Sequence, residues 1–331
     1  MSGHYIKHSV LIAVALIVVA TIAVRLYLFR PSIKQDLIVS TTTSLYDTGL
    51  LDQLKKDFEQ RYPQYIVNFI PQGTGQAIKT AQRGDADLIL VHDPDSELKF
   101  LQEGYGVNRK IFAYNFYIIV GPQDDPAGVK GLQPLDALRK IAEEAAKGNA
   151  LWVSRGDNSG THLKEKSLWK AAGLNLSELK AQRAAGTGQN WYLESGTGMT
   201  TTLQLANQKQ AYTLSDIATF QTNTRRGSLQ LTKIVEEGRE MLNVYSAIIC
   251  NPQRLPKTDF EAAIVFTEYL TTEGQSIIKT FGVTELGEAL FNSWSEAQSN
   301  QTITRWVEGY AFFEGSECPE RYRYQADNLY K

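Results

Sequence analysis

The 331-residue chain is poor in the side chains that build metal centres and disulfide frameworks. Its two cysteines, Cys250 and Cys318, are too few for a disulfide framework and lack metal-ligand spacing. Its four histidines form no HExxH motif, which argues against a zinc hydrolase. We therefore expect a protein that works without a cofactor.

A basic excess is also missing. The chain has 34 Lys and Arg against 36 Asp and Glu, which gives a formal net charge of −2. This balance leaves no basic stripe of the kind that binds nucleic acid, so nucleic acid is not an expected partner. The composition, 43% hydrophobic and 21% charged, is typical of a globular protein, and the length predicts about two domains.

Long apolar runs are confined to the N-terminus. Residues 10–20 contain no polar side chain, and Lys7 precedes them. The run has the length of the apolar region of a signal peptide and is short for a full membrane span. Residues 1–33 are therefore predicted to be either a cleaved signal peptide or a retained membrane anchor. Both alternatives place the rest of the chain outside the cytoplasm, in the periplasm or on the outer face of the cell membrane.

The body of the chain alternates strand and helix patterns, which predicts an α/β fold with a parallel sheet between helices. In its first part the predicted strands are 36–40, 65–70, 87–91 and 110–120, and the predicted helices are 47–61, 75–83 and 95–103. After Pro122 the pattern restarts, with strands 150–153, 230–235 and 243–249 and helices 134–147, 161–172, 198–209 and 258–280. The tail from about residue 295 has sparse periodicity and is expected to pack on the outside.

The segment SRGDNSGTH, residues 154–162, is rich in hydrogen-bond donors and joins a predicted strand to a predicted helix. The first N–H groups of a helix lack partners, and together with the helix dipole they attract anions. Ser159 and Thr161 add hydroxyl donors, and Arg155 adds a positive fork. Helix capping by Ser159 or Thr161 requires only one hydroxyl. Taken alone, the segment leaves both an anion site and simple capping open.

Loops rich in donors and glycines before a predicted helix recur three times, and the first two of them also follow a predicted strand. They are found in STTTSLYDTG (40–49), PQGTGQAIKT (71–80) and SGTGMTTT (195–202). The second of these is not a Walker A loop, because Ile78 occupies the position of the required glycine. Ligands of open α/β sheets bind at the carboxyl ends of strands. Four such loops predict several helix N-termini directed at one small anion.

On these residues the sequence resembles the tungstate-binding proteins that feed ABC importers. The motifs STTTS, GTGQAIKTAQRGDADLILVHDPDSE, SRGDNSGTH and YTLSDIATF carry the resemblance, in order, across residues 36–291. It implies a two-lobed periplasmic-binding-protein fold of type II, with the ligand in a cleft between the lobes. It also implies tungstate or molybdate as the ligand, an ABC permease as the partner, and no enzymatic activity.

The donor-rich loops and the resemblance together define the expected ligand-binding residues. These are Thr42, Thr43, Ser44, Gly73, Thr74, Arg155, Ser159, Gly160, Thr161, Thr197 and Gly198. A monomer is expected. The chain is expected to cross between lobes twice, so that the segments after the leader are first lobe (34–117), second lobe (118–217), first lobe again (218–291) and C-terminal extension (292–331).

The tetrahedral anions that such a site could bind differ in whether they carry a proton at pH 7. Tungstate, molybdate and sulfate carry none at pH 7, whereas phosphate keeps one and requires an acceptor. Asp47 and Asp93 are candidate acceptors, although the position of Asp93 before Pro94 favours helix capping, and we interpret His92 as a surface or hinge residue. Phosphate or sulfate binding, and a sensor of the same fold, remain alternatives. A serine hydrolase is not favoured, because GDNSG lacks the G-x-S-x-G spacing.

Overall fold

The computed structural model describes residue 21 and residues 34–227, 229–236, 238–326 and 328–330. Apart from Thr21, residues 1–33 lie outside the described residues, and so does the prediction that they form a signal peptide or anchor. Within the described residues, no helix combines the length and the apolar character needed to cross a membrane.

The described residues form strands and helices throughout the body of the chain. The strands are β1 (Gln35–Thr42), β2 (Tyr65–Gln72), β3 (Leu88–Val91), β4 (Gly106–Gly121), β5 (Trp152–Ser154), β6 (Tyr192–Glu194), β7 (Thr213–Asp216), β8 (Thr232–Val235), β9 (Leu242–Cys250) and β10 (Asn292–Ser293). The helices are α1 (Thr43–Asp47), α2 (Leu50–Arg61), α3 (Thr74–Gln82), α4 (Pro94–Gln102), α5 (Pro134–Ala146), α6 (Gly160–Ala171), α7 (Leu176–Ala181), α8 (Met199–Lys209), α9 (Ile217–Arg225), α10 (Phe260–Thr271), α11 (Gln275–Thr280), α12 (Val283–Leu286), α13 (Trp294–Ala297) and α14 (Gln301–Ala311).

The main sheet has the strand order β10-β4-β9-β3-β1-β2, and β7 and β8 also pair with β4. Strands β1 and β3 are parallel, as predicted, so both end at the same edge of the sheet. Strand β9 is antiparallel to both β3 and β4, which makes the sheet mixed and corrects the prediction of a parallel sheet. A second, two-stranded sheet pairs β5 with β6 in parallel. The α/β class is confirmed.

Strand β4 joins two hydrophobic cores. Its residues up to Phe116 pair with β9, whereas Tyr117 to Gly121 pair with β7 and β8. One core contains Leu37, Leu88 and Phe266, and the other contains Trp152, Trp169 and Tyr192. A single strand of 16 residues therefore runs from the first core into the second.

Several elements differ from the sequence-based prediction. The short strands β6 and β7 and the helices α7 and α9 were not predicted. The long helix predicted over 258–280 is two helices, α10 and α11, separated at Gly274. A Cβ on Gly274 would lie 2.9 Å from the carbonyl oxygen of Tyr269, so this close approach requires glycine.

The C-terminal extension is folded onto the first part of the chain. Strand β10 pairs with β4 at Tyr114, and the carbonyl of Glu317 accepts a 2.8 Å hydrogen bond from Nη1 of Arg109. Tyr310 reaches the other side, because its ring centroid lies 4.2 Å from Nζ of Lys164 on α6. The extension therefore contacts residues of both parts of the chain.

Candidate functional site

Strand β1 ends in buried hydroxyl side chains, and α1 begins directly after it. The hydroxyl oxygen of Thr42 accepts a 3.4 Å hydrogen bond from the N–H of Leu45 and caps this helix. Ser44 is buried, whereas Thr43 is only partly buried. This loop therefore combines a helix cap, provided by Thr42, with a group of hydroxyl donors.

The starts of α3 and α6 meet at two glycines. Gly73 is the N-cap of α3, and a Cβ added to it would lie 3.8 Å from Cα of Ser159, the N-cap of α6. A Cβ on Gly160 would lie 2.9 Å from the Oγ1 of Thr74. Two helix N-termini from distant parts of the chain therefore lie against each other, and Gly160 has no room for a side chain.

Arg155 links these loops. It follows β5 and is almost completely buried, with its Nη2 2.6 Å from Oδ2 of Asp157 and 3.5 Å from Oγ1 of Thr43. The guanidinium therefore joins the loop after β5 to the loop after β1. A buried guanidinium beside two helix N-termini offers several N–H donors, an arrangement suited to an anion.

Three donor groups of this cluster are buried without a partner. They are Oγ1 of Thr74, Nε of Arg155 and Oγ1 of Thr161. Leaving a buried donor unpaired costs about 1–3 kcal/mol, and more for a charged group, so such atoms are rare. Three of them in one cluster indicate that the site is built to pair with an acceptor that the chain itself does not supply.

His92 belongs to this cluster, although the sequence analysis interpreted it as a surface or hinge residue. It is buried, its Nε2 lies 3.4 Å from Oγ of Ser44, and its Cε1 faces Gly160. The surface interpretation is therefore wrong. Because His92 directly follows β3, which is parallel to β1, the shared sheet edge was the signal that predicts its position.

Burial also decides the charge of His92. Burial is the largest cause that lowers the pKa of the imidazole from 6.5 to about 4; the hydrogen bond to Asn243 opposes this change, and the nearby charge of Arg155 adds to it. His92 is therefore neutral at pH 7 in the structure.

Two of the carboxylates near the site, Asp93 and Asp216, cap helices. Asp93 caps α4 by accepting a 3.1 Å hydrogen bond from the N–H of Ser96, as predicted. Asp216, which the sequence analysis missed, is buried and caps α9. The pKa of Asp47 is raised, because the effect of burial outweighs the opposing charges of Arg155 and Arg226.

The fourth donor-rich loop, residues 195–202, lies beside β5 and contributes less to the buried cluster. The N–H of Gly196 donates to the carbonyl of Arg155 at 2.8 Å, so the structure places this loop beside β5. Thr197 is exposed, and Gly198 is the partly buried N-cap of α8. The structure does not bring Thr197 into the buried cluster that contains Thr74 and Arg155.

Comparisons with known proteins identify the family of the chain. The model of the PBP superfamily domain matches residues 31–273. A Haloferax volcanii protein with the provisional name ABC transporter anion-binding protein is 44% identical over 79% of this chain and 73% of its own. The tungstate-binding protein TupA of Peptoclostridium acidaminophilum is 36% identical over 78% of this chain and 85% of its own.

A solved structure gives the same result for the fold. The structure of the tungstate ABC transporter from Geobacter sulfurreducens is 37% identical in sequence and superposes with a TM-score of 0.65. The match covers 75% of this chain and 99% of that chain. The two-lobed fold class expected from the sequence is thereby confirmed. With this coverage and identity, the chain belongs to the PBP superfamily and, within it, to the tungstate-binding proteins of ABC transporters.

Proposed function

We propose that the protein captures tungstate or molybdate outside the cytoplasm and delivers the anion to an ABC permease. The observation that carries the proposal is the buried cluster of unpaired donors formed by Thr74, Arg155 and Thr161. A dianion without protons accepts hydrogen bonds from all three groups and is attracted by the guanidinium. The names of the relatives support tungstate as the ligand and the permease as the partner.

The anion is cargo in this proposal. Its oxygen atoms accept hydrogen bonds, the protein does not ligate the metal atom, and neither a cofactor nor an enzymatic step is involved. The names of the relatives as binding proteins support this role. The proposed molecule is a monomer whose residues 1–33 direct it out of the cytoplasm or anchor it to the membrane.

We also propose that the two cores belong to two lobes that close on the anion. Thr43 and Thr74 come from the first lobe, and Arg155 and Thr161 come from the second. The structure supports a change in one boundary: Ile234 and Val235 pack in the second core, so the return to the first lobe is placed at Leu242 rather than at residue 218. Donors from both lobes favour the closed form, because only that form makes all the contacts.

Calorimetric titration with tungstate, molybdate, sulfate and phosphate tests the ligand. The Arg155→Met variant should bind tungstate about tenfold to more than a hundredfold more weakly, because a charged hydrogen bond contributes about 1.5–3 kcal/mol. Arg83→Met is the matched control, since Arg83 also pairs with the acid two residues along but is exposed. Unchanged tungstate affinity in Arg155→Met, or tighter binding of phosphate than of tungstate, would contradict the proposal.

A further inference from the structure

His92 and Ser44 share a hydrogen bond in which the position of the proton is determined by the surrounding residues. Resting on the proposed function, we propose that His92 takes up a proton when the oxyanion binds, and that this frees the hydroxyl hydrogen of Ser44 for the anion. The protein would thus couple anion capture to protonation. The proton comes from solvent and adds to Nε2 of His92, and no other bond is made or broken.

The orientation of the Asn115 amide is fixed by a backbone carbonyl, which can only accept a hydrogen bond. Nδ2 of Asn115 donates to the carbonyl oxygen of Leu290 at 3.4 Å, which turns Oδ1 of Asn115 toward Asn243. Nδ2 of Asn243 lies 2.8 Å from that oxygen and 2.8 Å from the hydroxyl of Tyr245. The amide nitrogen of Asn243 therefore donates to these two oxygens, and Oδ1 of Asn243 faces His92.

This chain of amides fixes the tautomer of His92. Its Nδ1 lies 3.0 Å from Oδ1 of Asn243, which accepts only, so Nδ1 carries the hydrogen. The hydroxyl oxygen of Tyr117 lies 2.8 Å from the same nitrogen. In the neutral imidazole Nε2 then carries a lone pair and no hydrogen. Neutral His92 therefore presents an acceptor to the anion site.

An acceptor at this place is unfavourable for an oxyanion. Ser44 has one hydroxyl hydrogen, and His92 Nε2 at 3.4 Å and Thr42 Oγ1 at 3.5 Å are the acceptors it faces. If Ser44 donates to the anion instead, neutral His92 is left as a buried acceptor without a donor. A proton on Nε2 removes the conflict, because His92 then donates to Ser44, and Ser44 donates to the anion.

The charges around His92 agree with this sequence of events. Burial and the charge of Arg155 keep His92 neutral without the anion, and the charge of a bound dianion favours the imidazolium. Among the described residues, no carboxylate hydrogen-bonds to His92. The ionisable groups of the packed elements are the phenols of Tyr117 and Tyr245, the cations Arg155 and Lys164, and the carboxyls of Asp47, Asp93 and Asp216.

Calorimetry of tungstate binding to the full chain in Bis-Tris and in Tris, which differ in ionisation enthalpy, measures the protons taken up. At about pH 7 we expect uptake approaching one proton per anion, and affinity should fall by up to tenfold per pH unit as pH rises. His92→Gln should bind without proton uptake. His162→Gln is the matched control and should retain the uptake, because Nδ1 of His162 accepts from the N–H of Asn158 and its hydrogen is already on Nε2.

Nitrogen NMR of ¹⁵N-histidine-labelled wild-type protein keeps the test independent of any variant. The Nε2 signal of His92 should change from that of an unprotonated to that of a protonated nitrogen when tungstate is added. Tungstate binding without proton uptake and with neutral His92 would overturn this inference and leave the proposed function intact. If neither tungstate nor molybdate binds, the proposed function fails, and the inference fails with it.

Discussion

Arg155 and Asp157 form an ion pair within one loop, with Nη2 of the first 2.6 Å from Oδ2 of the second. The other carboxylate oxygen of Asp157 accepts a 3.1 Å hydrogen bond from the N–H of Ser159. Burial alone would raise the pKa of Asp157, but Arg155 and Ser159 outweigh it and lower that pKa. Asp157 therefore holds both the guanidinium and the start of α6 in place.

Removal of the Asp157 carboxylate should weaken anion binding, although this carboxylate is not expected to contact the anion. We expect Asp157→Ala to lower tungstate affinity about tenfold, because one charged and one neutral hydrogen bond no longer position the donors. Asp85→Ala is the matched control, since Asp85 pairs with Arg83 at the surface. Equal affinities of the two variants in calorimetry would contradict a positioning role for Asp157.

The close approach at Gly160 gives a second prediction. A methyl group there would lie 2.7 Å from Cε1 of His92, so Gly160→Ala should separate the loops and weaken binding by at least about tenfold. Gly75→Ala, in which the methyl group meets only the carbonyl oxygen of Asn158 at 3.6 Å, should bind normally. Titration of both variants with tungstate decides the matter, and normal binding by Gly160→Ala would refute the close approach.

The neutral state of His92 predicts a pH dependence of stability without ligand. Its pKa is about 4 in the fold against 6.5 when unperturbed, so the unfolded chain protonates first as pH falls. Stability from neutral His92 is present above pH 6.5 and lost toward pH 4, an effect of about 3 kcal/mol. Urea unfolding across this window should show a smaller loss for His92→Gln. Parallel curves would show that His92 is not buried in its neutral form.

Arg109 contacts the C-terminal extension and also forms a buried ion pair within the body of the chain. Arg109 and Glu97 are completely buried and 2.7 Å apart, and the guanidinium also lies 4.5 Å from the ring centroid of Phe313. Arg109→Met should lower the free energy of unfolding by about 3–5 kcal/mol, because it leaves Glu97 unpaired in the interior. Arg321→Met, which breaks an exposed pair with Glu314, should have no measurable effect in the same urea titration.

Lobe closure is measurable with distance labels. Cys250 and Cys318 are buried, so new cysteines at the exposed positions 56 and 170 would react selectively. We expect the distance between labels on Lys56→Cys and Lys170→Cys to shorten or narrow in distribution when tungstate is added. An unchanged distribution would exclude closure on the anion.

The regular part of the fold was predictable because local pattern and tertiary structure agree. The strand predicted over 65–70 and the helix over 75–83 are found at Tyr65–Gln72 and Thr74–Gln82. The break at Gly274 was not predictable, because it arises from packing against Tyr269. Strands of three or four residues, such as β6 and β7, carry too short a pattern to be identified.

The candidate site likewise contains residues that the sequence reveals and residues that it does not. Donor types and glycines reveal the loops around Thr74 and Thr161, because their chemistry is local to the sequence. His92 was misjudged because its role depends on burial and on Asn243, which is 151 residues away. The position of His92 after β3 was readable from the sequence, whereas its contact with Asn243 leaves no local signal.

The contact between Tyr310 and Lys164 has a consequence for affinity. An observed dissociation constant equals the intrinsic constant divided by the fraction of molecules already in the binding conformation. Lys164 lies three residues after Thr161, and Tyr310 belongs to the tail that is fastened to Arg109. Because this contact joins the tail to α6, we expect a change in it to alter that fraction, and with it the apparent affinity. Two proteins with identical donor sets would then differ in anion affinity through their tails alone.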